Sequence, residues 1–305
     1  MRLYYSGVDI TDRINIKSAV HRDVSDGRFD SLSLTFENSA LWQRWKPQMD
    51  DGIELVHNGY TTGKLYLSAI APEGDLYRAI ATSGKLSARR VETMSYTGYK
   101  LGTLMEVMAQ KCGMTGKLFG IDEKYTYAYL AQNHESAAHF MSRLLHMEGG
   151  VLKTVSGRLA GIGINYAQDR ECLQNMRIDA DMNGVKYSSL PHKKIKSIVM
   201  VSPYFRASAT DTSVENGETM TICDVQTDDI ATAGRWARGL LLHHNRKAEV
   251  MTIDSELNVG MTAMTRIDVV SEGDVNGEWL VDEVMHDFVN GTTSTKCLRC
   301  IRTVR

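Results

Sequence analysis

Proline is scarce, with four in 305 residues, and no stretch rich in proline or in glycine and serine breaks the chain. Whatever domains it holds are therefore joined closely and not strung on a flexible tether. Long apolar runs are also missing. None approaches the ~20 residues that a membrane helix needs, so no membrane insertion is expected. Met1 to Val8 has no apolar core followed by a small-residue cleavage site, so no signal peptide is expected and assembly in a host cytoplasm follows. Cysteine is sparse, odd in number and scattered (Cys112, Cys172, Cys223, Cys297, Cys300), which argues against a disulfide framework. Charge of one sign is lacking too. At a net −2 the whole chain has no electrostatic reason to bind nucleic acid or an acidic membrane.

What is present is an ordinary globular balance, 43% hydrophobic and 24% charged, in a chain long enough for about two to three domains. The first ~95 residues read as β. Leu32, Leu34 and Phe36 alternate with Ser31, Ser33 and Thr35. Ile53 to His57 meets Asn58-Gly59, a tight-turn dipeptide. Lys64 to Ile70 and Leu76 to Thr82 flank the turn Pro72-Glu73-Gly74-Asp75. Ser39 to Trp45 reads as a short helical turn presenting Leu41, Trp42 and Trp45.

The middle is helical. Leu101, Leu104, Met105, Met108, Ala109 and Cys112 share one helix face, stopped at Gly113. A second helix is expected after Asn133 as N-cap, with Ala137, Phe140, Met141, Leu144 and Leu145 inward and Gly149-Gly150 as its stop. A third carries Ala233, Trp236, Ala237, Leu240, Leu241 and His244, with Asp228 and Asp229 at its start. Around it the last third reads as β. Strands are expected at Ile195 to Val201 and near Val250, Ile267 and Trp279. Ser202 to Asn216 reads as a polar loop, and Asn290-Gly291 closes a final hairpin into Thr295 to Val304.

One pattern occurs twice. Gly63-Lys64-Leu65-Tyr66-Leu67-Ser68-Ala69-Ile70 and Gly277-Glu278-Trp279-Leu280-Val281-Asp282-Glu283-Val284 are each glycine, a charge, three apolar or aromatic residues, two others and a β-branched residue. Two related β domains flanking an α/β insert are the expectation. Three copies of such a chain can close a ring of six similar units, a natural adaptor between sixfold and threefold objects.

Candidate chemistry does not survive inspection. His134-Glu135-Ser136-Ala137-Ala138-His139 is one residue too long for a zinc-protease helix, because i and i+5 are rotated apart by roughly 140°. Cys297 and Cys300 form a lone pair with no second ligand pair. His243 and His244 suit a helix C-terminus, and His286 suits packing or a hydrogen bond across the last hairpin. Gly157 to Gly163 lacks the third glycine of a phosphate loop. Lys193, Lys194 and Lys196 read as a solvated edge, and the four tryptophans as core or interface anchors. No catalytic, cofactor-binding or metal-binding residue is assigned, and the chain is read as not an enzyme.

Four stretches resemble the baseplate hub proteins of phage tails, the late-control protein D group with the hubs of contractile phages, R-type bacteriocins and related injection systems. They are Tyr96-Thr97-Gly98-Tyr99-Lys100-Leu101 with its helix to Gly113-Met114, Gln132 to Ser136 with its helix to Gly149-Gly150, Leu257-Asn258-Val259-Gly260, and Gly277 to Phe288 followed by Thr295 to Arg302. Lys100 departs from the family's threonine cap. The resemblance implies a β-rich α+β protein with two phage-tube-type β-barrel or sandwich domains (1–95 and 195–305) and an inserted small α/β domain (96–194). The first β domain can be completed by a later segment. It also implies a homotrimeric structural ring that joins a hexameric tail tube to a central spike. Its partners would be the tube or tube-initiator protein, the spike, the tape-measure protein and other baseplate proteins, with DNA only as passing cargo, in a virion or phage-like particle. A component of a non-contractile tail is the near alternative and a tail-associated cell-wall hydrolase the distant one.

Overall fold

The structure, a computed structural model, describes residues 1–25, 27–37, 42, 44–178, 184–223, 225, 227 and 229–305. Much of the expected helical turn at Ser39 to Trp45, and Asp228 at the third helix, lie outside the described residues.

Strands dominate. The N-terminal part supplies six longer ones, β1 (Arg2–Tyr5), β2 (Asn15–Val24), β3 (Ser31–Glu37), β4 (Gly52–His57), β5 (Leu65–Glu73) and β6 (Leu76–Thr82), with the two-residue strands Val8–Asp9 and Tyr60–Thr61 beside β1 and β4. They lie in the order β2-β3-β6-β5-β4-β1. Six more come from the second part: β7 (Gln174–Arg177), β8 (Val185–Ser189), β9 (Glu249–Glu256), β10 (Arg266–Val270), β11 (Gly277–Asp287) and β12 (Thr292–Arg299). Their order is β8-β9-β12-β11-β10-β7, the same order strand for strand. β11 serves both sets. Its first half pairs with β10 and its second half, Glu283 to Asp287, pairs with β2, so one curled sheet runs through both.

The alternation read from the sequence sets the inner face. Leu32, Leu34 and Phe36 of β3 are fully buried, while Ser31, Ser33 and Thr35 are half-buried. Trp42 sits at the centre of the first half, with Phe36 and Tyr5 rings each 5.0 Å away. The second half has a less aromatic core around Trp279, Met251, Val281 and Cys297. The Asn58-Gly59 turn has positive φ at both residues, the geometry this dipeptide favours.

Among the described residues four α-helices lie outside the large sheet: α1 (Leu101–Lys111), α2 (Ala137–Met147), α3 (Ile164–Gln168) and α4 (Ile230–Asn245). α1, α2 and α4 bury the predicted stripes in one core, with Leu104, Met108, Phe140, Leu144, Trp236 and Leu241 among its members; His244 of the α4 stripe is instead exposed, and His243 is buried. Small sheets cover them: Val91–Lys100 with Thr126–Ser136, then Thr115–Phe119, Arg158–Gly163 and Gly150–Val155, then Arg206–Thr210, Ser197–Val201 and Thr219–Cys223. α4 crosses α2 closely at Gly239. A β-carbon there would lie 2.0 Å from the Met147 carbonyl oxygen, so only glycine fits.

Three local expectations differ from what is found. α2 starts later than Asn133, because the strand continues to Ser136, whose hydroxyl caps the helix by accepting from the His139 N–H at 3.2 Å. The polar run from Ser202 contains a strand, Arg206–Thr210, whose Ala207 and Ala209 are small enough to lie under α4. The final strand ends at Arg299, and the tail beyond it returns to bridge Asp211 through Val304.

Candidate interaction surface

The two halves of the large sheet match in register at their central strands, although β1 runs antiparallel to β4 and β7 parallel to β10. Gly52 and Ile53 lie opposite Tyr66 and Leu65 in the first half, and Arg266 and Ile267 opposite Leu280 and Trp279 in the second. A β-bulge falls at Ser68 in one and at Asp282 in the other. Each follows a glycine of positive φ, Gly63 and Gly277. The eight-residue echo therefore occupies equivalent places in two equivalent sheets.

Within the chain the halves join edge to edge. β11 and β2 run antiparallel with Val284 opposite Asp23, Met285 opposite Arg22 and His286 opposite His21. Phe288 extends the ladder by donating its N–H to the Ala19 carbonyl at 2.9 Å. On the outer face Arg22 meets Glu283 at 3.0 Å.

A buried polar cluster closes the joint from the inside. Lys153, on the strand Gly150–Val155, forms an ion pair with Asp23 of β2 and stands 3.8 Å from Asp30. Asp23 also accepts the Ala263 N–H at 3.0 Å, and Asp30 accepts the Val24 N–H at 3.0 Å. The cluster thus ties the first half, the helical part and the second half together. Burial drives the Asp30 carboxyl well above the usual carboxylate range, against the pull of Lys153. His21 shares a 2.8 Å hydrogen bond with the Tyr60 hydroxyl, and burial pushes its imidazole down to about 4. Together with Thr61, Thr262 and neighbours these groups line a cleft of about 320 Å³.

Where strands do pair, few backbone groups are left over. Among the sheet edges without a strand partner in the described residues are the outer side of β8 and the outer side of β5 beyond its bulge, Ala69 to Glu73. An open edge is a template for a further strand.

The residues singled out by chemistry are spread among structural duties. Glu135 is held by Arg143 at 2.7 Å and by His139 at 3.3 Å, with His134 still in the preceding strand. Cys297 is buried in the core of the second half, and burial raises its thiol; Cys300 is pushed up to about 12. His286 bonds across the last hairpin to the Thr293 hydroxyl at 2.9 Å and reaches the Met261 carbonyl at 3.2 Å. His243 donates to the Gly150 carbonyl at 2.9 Å and stacks on His146 with ring centroids 3.6 Å apart; His244 contacts the Lys193 carbonyl. Lys194 pairs with Glu249 at 2.7 Å, and Lys196 donates to the Glu215 carbonyl. Trp236 donates to Glu148 at 2.8 Å and Trp279 to the Val275 carbonyl at 2.8 Å. Among the described residues no group of three or more His, Cys, Asp or Glu side chains is placed to hold a metal ion, and no helix is long and apolar enough to cross a membrane. Sequence reading missed the Asp23–Asp30–Lys153 cluster, since Lys153 stands far from the two aspartates in the chain and the three carry no motif.

No family model and no curated protein matches this sequence. Solved structures do match it over nearly its full length. The tail protein from Neisseria meningitidis MC58 aligns at a TM-score of 0.76 and 9% identity, covering 98% of this chain and 95% of that one. The 43 kDa tail protein of prophage MuSo2 from Shewanella oneidensis aligns at 0.73 and 9%, covering 98% and 97%. An Escherichia coli component of the type VI secretion system, described as structurally similar to the T4 bacteriophage tail proteins gp27 and gp5, aligns at 0.64 and 11%, covering 99% and 78%. At such identities the likeness is one of fold: the chain has the β-rich fold of these tail proteins.

Proposed function

We propose that this protein is a structural component of a phage-type tail, the hub that joins the tail tube to the central spike as a homotrimeric ring. The observation that carries the reading is the repeat of one six-strand order within a single chain, joined edge to edge through β11 and β2. A chain that already holds two equivalent units side by side presents three copies as six units, the number needed to meet a hexameric tube, while keeping threefold symmetry for a spike. The fold shared with tail proteins and with a type VI component supports the same reading.

On this reading residues 1–95 and 195–305 supply two tube-type β domains and 96–194 the core of an inserted α/β domain. β7 and β8 go with the second β domain, and α4 with the helical part. The tube or tube-initiator protein, the spike, the tape-measure protein and other baseplate proteins are the proposed neighbours, and the particle is the proposed location. The role is mechanical and needs no catalytic residue. Mass in solution and negative-stain imaging of the purified chain test it. A threefold ring supports the reading, and a chain that stays monomeric across the accessible concentration range overturns it.

A further inference from the structure

The geometry points to one particular contact between copies of this chain: the outer edge of β8 in one copy pairs antiparallel with Ala69 to Glu73 of β5 in the next, with Ile70 opposite Ser189, Ala71 opposite Ser188 and Pro72 opposite Tyr187. This rests on the ring reading above and gives its interface.

The register comes from the joint inside the chain. β10 and β11 map onto β4 and β5 by one constant shift, since Ile267 opposite Trp279 matches Ile53 opposite Leu65. Val284, Met285 and His286 then correspond to Ile70, Ala71 and Pro72. On the other side, His21 lies opposite Leu32, Leu32 opposite Ala81 and Ala81 opposite Leu67. Tyr187 lies opposite Met251, Met251 opposite Cys297 and Cys297 opposite Val281. Leu67 and Val281 are equivalent by the same shift, so His21 corresponds to Tyr187, and Asp23 to Ser189. Replacing each member of the internal β11–β2 ladder by its equivalent yields the stated pairs.

Two further observations agree with this register without having been used to set it. The first is hydrogen-bond parity. Leu190 donates its N–H to the Ala248 carbonyl, toward β9, so Ser189 and Tyr187 turn theirs outward. In β5 the two-residue turn Gly74-Asp75 is closed by Glu73 opposite Leu76, a pair that bonds inward, so Ile70 and Pro72 are the outward positions. Outward groups therefore meet outward groups. Pro72 has no N–H, so the Pro72–Tyr187 pair keeps one hydrogen bond, from the Tyr187 N–H to the Pro72 carbonyl, while Ile70 and Ser189 exchange two. The second is side-chain facing. Ile70 packs on the core of the first half and Tyr187 on that of the second, so the pairing makes one continuous inner face, as Val284 and His286 do at the internal joint.

The test is oxidative cross-linking of the full chain in a Cys223→Ser background, since Cys223 is exposed. Ala71 and Ser188 are both exposed and lie opposite each other at disulfide range if the strands pair. Ala71→Cys and Ser188→Cys chains, co-expressed and oxidised, are expected to give a covalent dimer. One chain carrying both changes gives a ladder that stops at the closed ring. Ala71→Cys with Lys186→Cys, two residues out of register, gives neither. Ser189→Pro, which deletes an outward N–H on an open edge, is expected to shift the mass toward monomer while thermal unfolding changes little. A chain that is multimeric by mass yet shows no 71–188 link overturns this interface and leaves the ring standing. A link between two Ala71→Cys chains alone also overturns it. A chain monomeric throughout overturns the ring reading and this contact with it.

Discussion

The two halves of the large sheet share a strand order, and the register of their central strands, but not a route. In the first half β2 and β3 are joined by residues 25–30. In the second their equivalents β8 and β9 are separated by residues 190–248, which hold a three-stranded sheet and α4. The same frame accepts both because strand order is set by which edges and inner faces match, while the entropy of closing a connection grows only as the logarithm of its length, about 0.6 kcal/mol per doubling. The bulge residues show what the longer route changed. Ser68 merely donates to the Ile80 carbonyl at 3.1 Å. Asp282 faces Arg246, which is buried at the end of α4, at 3.7 Å, and also meets Ser25 and Lys296. A position that only kinks one half anchors the excursion to the other.

The largest expected effect breaks the joint between the halves. Lys153→Met leaves Asp23 and Asp30 buried without their cation and should cost about 3–5 kcal/mol in urea unfolding. A loss no greater than that of an exposed lysine would mean that the cluster holds nothing. Next come the equivalent core positions. Trp279→Ala should cost ~3–5 kcal/mol and exceed Leu65→Ala, because Trp279 fills more volume and donates to the Val275 carbonyl. The reverse ranking would place the rigid core in the first half. Exchanging the bulge residues sharpens the contrast further. Asp282→Ser strands Arg246 and should cost about 3 kcal/mol, whereas Ser68→Asp at its half-exposed place should cost under ~1 kcal/mol.

Acidification should weaken the protein by a smaller, graded amount. Burial holds His21 and His146 at about 4 and His243 well below 6.5, so each resists a proton that the unfolded chain accepts. Their contribution is complete above pH 6.5 and is lost as pH falls toward 4. Asp30, whose carboxyl is raised, works in the opposite sense over an overlapping range, and the histidines outnumber it. Urea midpoints at pH 7.5 and 4.5 measure the net. His21→Gln with His146→Gln should shrink the difference, and an unchanged difference would remove these histidines from the explanation. The smallest effect is a control: Lys17→Ala, which removes an exposed pair with Glu37 at 2.9 Å, should change stability by less than ~0.5 kcal/mol.

How much was legible before the structure depended on how local the signal was. The stripes of α1, α2 and α4 and the alternation of β3 lie within a few residues, and burial followed them except at His244. β2 carries Lys17, Ser18, His21, Arg22 and Asp23 among few apolar residues, so its ten residues showed no clean period. Its polar side chains instead serve the joint with β11 and the Lys153 cluster. Arg206–Thr210 escaped notice for a related reason, since its inward residues are alanines.

The sequence by itself determined the β-rich composition, the helices, the turn at Asn58-Gly59 and the repeated segment that marks equivalent strands. All of these rest on neighbours in the chain. Only the tertiary structure decided that β11 reaches past its own half to pair with β2, that Lys153 meets Asp23 and Asp30, and that Val185–Ser189 belongs to the large sheet with one edge open. Such contacts join residues far apart in the chain. Nothing in a local pattern specifies them, because they are selected by which buried faces and unpaired backbone edges remain once the local elements have formed.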